Sequence, residues 1–172
     1  MSDVGVLADE SWRTSVIRDF AASELFDRTF REGMDLVEET AAYLDGAGRQ
    51  ESKRLSRKAA LAYASESMRL TTRLMQLASW LLVQRAVREG QMAPAEACNE
   101  RYRMAEELAK PAGDPGELLP AGLSSLLERA ARLYDRVSHL DRRMYLETAP
   151  DADNHPVLTQ IDRLQAAFGT RL

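Results

Sequence analysis

Apolar residues recur three and four positions apart along most of this chain, the spacing of a buried helix stripe. The longest such stretch predicts one continuous helix from Ser52 to Gly90, without proline or interior glycine. At about 1.5 Å of rise per residue it would be roughly 57 Å long. It carries two apolar stripes. One is Leu61, Ala64, Met68, Thr71, Met75, Ala78 and Leu82; the other is Tyr63, Ser67, Leu70, Leu74, Leu77 and Leu81. Two adjacent stripes need more than one partner, either other helices of the chain or a second copy. The self-association face is expected at Leu70, Leu74, Leu77, Trp80 and Leu81, although a tryptophan such as Trp80 is ordinarily core and becomes an interface anchor only where its stripe stays uncovered.

The remaining pattern predicts shorter elements around this spine. Residues 1–22 scatter Trp12, Val16, Ile17 and Phe20 among polar positions and read as an arm that docks on the body. Ser23 is a natural N-cap for a helix ending at Gly46, with Phe26, Phe30, Gly33, Val37, Ala41 and Leu44 on one face. Gly33 costs up to about 1 kcal/mol inside a helix, which points to a closely approaching neighbour. The short link 46–50 implies an antiparallel hairpin. A third helix is expected from Pro94 to about Lys110, ended by the breaker Pro111–Gly116. A fourth runs from about Pro120 to Glu147, with Ser125 and Glu128 as a possible capping box and a stripe through Leu123, Leu127, Ala130, Tyr134, Val137, Leu140 and Met144. The expected fold is all-α, an antiparallel three-helix bundle with a short additional helix and flexible termini. Its units are an arm (1–22), the bundle (23–147) and a tail (148–172).

Composition narrows the class. With 172 residues, 45% apolar and 29% charged, the chain is one globular domain able to bury a core without staples. A net charge of −4 argues against nucleic acid as the main partner. One cysteine, Cys98, excludes an internal disulfide framework and fits a reducing cytoplasm. The N-terminus lacks a secretion signal, and the most apolar window, Leu74 to Val87, is too short and polar to span a bilayer.

Candidate chemistry is sparse. The basic run Lys53, Arg54, Arg57 and Lys58 opens the long helix, where the macrodipole disfavours cations. Three readings stay open: pairing with Glu38, Glu39 and Asp45 across the hairpin, docking of an acidic partner, or contact with nucleic acid. Glu66, Arg69 and Arg73 form a polar edge or the lip of a protein-binding groove. Neither His139 nor His155 sits in the Glu-x-x-His pattern of a di-metal bundle, and two histidines with one cysteine make no convincing zinc site. No phosphate loop, nucleophile elbow or kinase signature occurs, so no catalytic residue, cofactor or metal is assigned. In the tail, Val157, Ile161, Leu164 and Phe168 recur at helical spacing. This stripe is too short to be stable alone; it either folds back on the bundle or folds on a partner.

Two runs, Glu32 to Gly46 and Glu66 to Leu82, closely resemble the alphaproteobacterial RcdA family, the regulators of CtrA degradation. The resemblance covers roughly Phe20 to Leu146. It implies a non-enzymatic adaptor of the ClpXP protease: a helical bundle, usually dimeric, with a mobile C-terminal tail. Its implied partners are ClpX and ClpP, the priming response regulator CpdR, the cyclic-di-GMP effector PopA and cargo such as CtrA, with recruitment to a cell pole. The residues leave two rivals open, a structural dimerisation protein or a transcriptional co-regulator without a protease link. The partner-contact residues expected from this chain are Lys53, Arg54, Arg57, Lys58, Val157, Ile161, Leu164 and Phe168.

Overall fold

The computed structural model describes residues 3–104 and 119–145, the side chains of 3–9 excepted. Among the described residues the regular structure is helical: α1 (Asp3–Ala21), α2 (Glu24–Asp45), α3 (Ala47–Ser52), α4 (Arg57–Arg88), α5 (Pro94–Ala97), a single 3-10 turn (Glu100–Tyr102) and α6 (Ala121–Tyr145).

Local chemistry sets the boundaries. Ser23 is extended and its Oγ accepts the Phe26 N–H at 3.1 Å, which starts α2 as its sequence predicts. The long helix is interrupted, however. Ser56 turns extended and accepts the Ala59 N–H at 3.2 Å, so α4 begins only at Arg57, and the stretch expected as the link 46–50 is itself helical, the six-residue α3. A serine hydroxyl offers the backbone an alternative to the helical ladder, and here the alternative wins. At the other end Gly90 takes a φ of +71°, and the Gln91 N–H returns to the Ala86 carbonyl at 2.8 Å, closing α4. The expected third helix shrinks to α5 and the 3-10 turn. Asn99 is extended and its side chain accepts the Arg101 N–H, and Arg103 is extended again. Residues 105–110 of that prediction lie outside the described residues. Helix α6 already begins at Ala121, so Ser125 and Glu128 lie inside it and form no capping box.

The partners across the body give the helix directions. Asp27 and Phe30 of α2 meet Arg88 and Arg85 of α4, so these two run antiparallel. Glu32 and Glu39 pair with Arg136 and Arg129 of α6, again antiparallel. Helices α4 and α6 instead advance together, Trp80 with Asp141 and Gln84 with Tyr145, at a constant offset of 61 residues. The segment between them must therefore travel back along the bundle. The second half of α1 docks on the body, and as a helix rather than an irregular arm: Ile17 and Ala21 are buried, and Phe20 packs on Phe26 and Trp80 with ring centroids 5.8 and 5.7 Å apart.

The core is shared by α1, α2, α4 and α6, with Leu36, Leu70, Leu77, Leu81, Leu123, Leu133 and Val137 at 2% exposure or less. Each such side chain contributes about 1.5–3 kcal/mol. Gly33 has the purpose its helix position implies. A Cβ there would sit 2.6 Å from Leu81 Cδ1, so glycine lets α2 and α4 approach.

Candidate interaction surfaces

Helix α4 has an inner and an outer apolar side. Leu70, Leu74, Leu77, Trp80 and Leu81 are each at most 4% exposed, enclosed by α1, α2 and α6. The stripe expected to meet a second copy is thus consumed within its own chain. Both stripes carry apolar residues at the same spacing, and spacing cannot say which one the other helices will cover.

The other stripe faces outward. Leu61, Met68, Met75 and Leu82 recur every seven residues and are 67, 72, 65 and 52% exposed. Ala64, Thr71 and Ala78 fall between them, completing the a/d spacing of a coiled-coil seam. No exposed position from Leu61 to Leu82 carries a charge, in a chain that is 29% charged. Two hydroxyls on this side are turned back onto their own helix: Thr71 and Thr72 donate to the carbonyls of Ser67 and Met68 at 2.9 and 3.0 Å. Beside the seam, Val37, Ala41 and Leu44 of α2 join Thr71, Met75 and Ala78 around a shallow cavity of about 270 Å³. The seam also reads the same in both directions: Leu, Ala, Met, Thr, Met, Ala, Leu, centred on Thr71.

The basic run occupies one end of the body. Lys53, Arg54, Arg57 and Lys58 are all exposed around the α3–α4 junction. The pairing considered for them across the hairpin does not form among the described residues, because Glu39 is held by Arg129 of α6 at 2.7 Å. That hydrogen bond also holds the Glu39 carboxyl below its ordinary pKa. The Glu66–Arg69–Arg73 group is more enclosed than a plain surface edge: Glu66 is buried and meets Arg69 at 3.4 Å, and Arg73 lies 5.7 Å from the Tyr134 ring centroid. Burial, with Arg69 alongside, lowers the Arg73 pKa. Val157, Ile161, Leu164 and Phe168 lie outside the described residues.

The sequence reading missed a buried polar network at the opposite end. Trp80 Nε1–H donates to Asp141 Oδ1 at 2.9 Å, and the Arg103 guanidinium stands 3.6 Å from the same carboxylate. Tyr145 donates its hydroxyl to the Ala97 carbonyl at 2.8 Å and accepts from Gln84 Nε2 at 3.5 Å. Desolvation raises the Asp141 pKa, against the opposing pull of Trp80, the Met104 backbone and Arg103. The Tyr145 hydroxyl is pushed up to about 12 for the same reason. These bonds clip the segment 97–104 to α4 and α6. The signal was present, since Asp141 stands between Val137 and Met144 on the apolar face of α6. Cys98 is half-buried, donates to the Pro94 carbonyl at 3.4 Å, and has its thiol pKa raised by burial. Among the described residues no cluster of three His, Cys, Asp or Glu side chains is placed to hold a metal ion, and no helix is long and apolar enough to cross a membrane.

The architecture is that of an all-helical bundle with an uncharged outer helix face, a cationic corner and a polar clip. The chain belongs to the RcdA family: the family described as "Protein of unknown function (DUF1465)" matches residues 17–168, and the crystal structure of RcdA from Caulobacter crescentus CB15 aligns at 67% identity with a TM-score of 0.64. That alignment covers 76% of this chain and 99% of the Caulobacter chain. None of the curated proteins matches this chain.

Proposed function

We propose that this protein is a homodimeric, non-enzymatic adaptor that helps deliver CtrA and other cell-cycle regulators to the ClpXP protease. In this reading it works with a CpdR-like priming response regulator and a PopA-like cyclic-di-GMP effector. It acts in the cytoplasm, is drawn to a cell pole by its partners, and neither binds nucleic acid nor inserts into membrane. Its kinship with RcdA supports a role in CtrA degradation. The observation that carries the mechanism is the outer side of α4, where apolar residues persist over three heptads without a charge. A contiguous exposed apolar face on a charged protein marks an interaction site.

The seam's symmetry favours a second copy as its partner. In an antiparallel pairing about Thr71, Leu61 meets Leu82 of the other copy, Ala64 meets Ala78 and Met68 meets Met75. The small residues at 64 and 78 permit close approach, as a two-fold interface between identical surfaces requires. This assigns self-association to the stripe opposite Leu70, Leu74, Leu77, Trp80 and Leu81. The helices that share the core, α1, α2, α4 and α6, are then the rigid body and 148–172 a separate contact unit. Lys53, Arg54, Arg57 and Lys58 supply a surface for an acidic partner at one end. The exit of α6 lies at the other, about 40 Å away by helix rise. Surfaces held apart on one rigid body raise the effective concentration of cargo at the protease without new chemistry.

A reconstituted degradation assay with ClpXP, the priming factor and CtrA tests this reading. Addition of the chain should accelerate CtrA loss. Met68→Asp with Met75→Asp should give a folded monomer by light scattering and reduced delivery. Equal degradation with and without the chain overturns the adaptor role; an unchanged dimer in the double variant overturns the assigned face.

A further inference from the structure

A second apolar groove, unrelated to the α4 seam, opens between the start of α2 and the last turns of α6. It holds about 470 Å³ and is lined by Leu25, Thr29, Asp135, Arg136, His139 and Leu140. Leu25 is 52% exposed there. Thr29 gives its hydroxyl to the Leu25 carbonyl at 2.8 Å, so the threonine offers the groove its methyl. The Arg136 guanidinium is drawn to Glu32 at 2.5 Å, leaving its aliphatic stem as a wall.

We propose that this groove is the berth of the chain's own C-terminal segment, with Val157, Ile161, Leu164 and Phe168 turned into it. Position is the first argument. One wall of the groove is α6 itself, and Leu140 stands five residues before Tyr145, where the described chain ends. Residues 146–156 then form a tether that reaches at most about 36 Å, ample to turn back by one or two helical turns. So short a link sets the local concentration of the segment in the millimolar range.

Charge is the second argument. The segment bears one adjacent pair of opposite charges, Asp162 and Arg163; the rim offers Asp135 to the arginine, while Arg136 beside it is already paired with Glu32. The tether carries Glu147, Asp151 and Asp153, and the last turn of α6 presents exposed Arg142; Arg132 and Arg136 further back are engaged by Glu128 and Glu32. The family match gives the third argument, for it extends past α6 and ends at Phe168, the last residue of the stripe. The docked stripe is withheld from other partners until they displace it. This berth does not depend on the protease reading.

Hydrogen exchange on the full chain and on a chain ending at Tyr145 tests the proposal. Truncation should speed exchange about tenfold in residues 24–30 and 135–141, with little change in the middle of α4. The full-length variant Ile161→Asp with Leu164→Asp should do the same and guards against a truncation that fails to fold. In a Cys98→Ser background, Leu25→Cys with Leu164→Cys should cross-link within one chain at every protein concentration. Unchanged exchange in both variants, or cross-links only between chains, overturns the berth.

Discussion

The inner and outer sides of α4 are equally rich in apolar residues yet built for different work. The inner side uses leucine and tryptophan in fixed contact with three other helices, and Trp80 Nε1 meets Asp141 at a defined 2.9 Å. The outer side uses methionine at its centre and leucine only at its two ends, with small residues between, and its threonine hydroxyls are turned back onto their own helix. Unbranched methionine adapts to irregular surfaces; leucine locked among neighbours does not. The inner side specifies a fold, whereas the outer side awaits a partner that the fold does not supply.

The largest effect that would sharpen this contrast comes from Leu81→Ala. It opens a cavity at a fully buried position and should cost about 2–5 kcal/mol in denaturant unfolding. Gly33→Leu attacks the same contact from α2 by forcing a side chain into space held by Leu81, with an expected loss of about 1–3 kcal/mol. Asp141→Ala strands the Trp80 N–H in the interior and should cost about 1–3 kcal/mol. It should also quicken hydrogen exchange in residues 97–104, which the network clips down.

Asp141→Asn separates charge from hydrogen bonding. Burial raises the pKa of Asp141, so the folded state holds that proton more tightly than the unfolded chain does. Its favourable contribution is complete below the unfolded carboxylate pKa, about 4, and is lost as pH rises through the folded value. Asparagine keeps an acceptor for Trp80 and should flatten that decline when unfolding midpoints are compared across the acid range. The smallest effect belongs to the outer side: Met68→Ser should alter monomer stability by no more than about 0.5 kcal/mol at low protein concentration. A loss as large as that of Leu81→Ala would erase the distinction between the two sides.

Much of this fold is legible in the residues, for physical reasons that differ between elements. Ser23 and the stripe from Phe26 to Gly33 announce α2, because a cap and an apolar face agree there, whereas in its second half Leu36 and Thr40 are buried in place of the expected Val37 and Ala41. The close approach at Gly33 follows from a glycine where the helix has no other use for one. Helix α1 escapes because Trp12, Val16, Ile17 and Phe20 crowd into its second half, and their value depends on Phe26 and Trp80, distant in sequence. The break at Ser56 turns on one hydroxyl choosing a cap over continuation. For the candidate surfaces the residues reveal two stripes on α4 and a cationic run, but choosing the covered stripe requires knowing where α2 and α6 lie. Asp141 shows the opposite case: a carboxylate on an apolar face announces a buried partner without naming Trp80.

The parallel course of α4 and α6 bears on how the chain assembles. Helices α2 and α4 can zip together soon after both exist, since a short stretch joins them. Helix α6 must find its place on α4 by contacts 61 residues apart, after a long return along the body. Such high contact order slows folding relative to a simple up-and-down bundle. On a ribosome, the leucines of α4 that α6 will cover stay wet until α6 emerges, the interval in which a nascent chain is most open to chaperones.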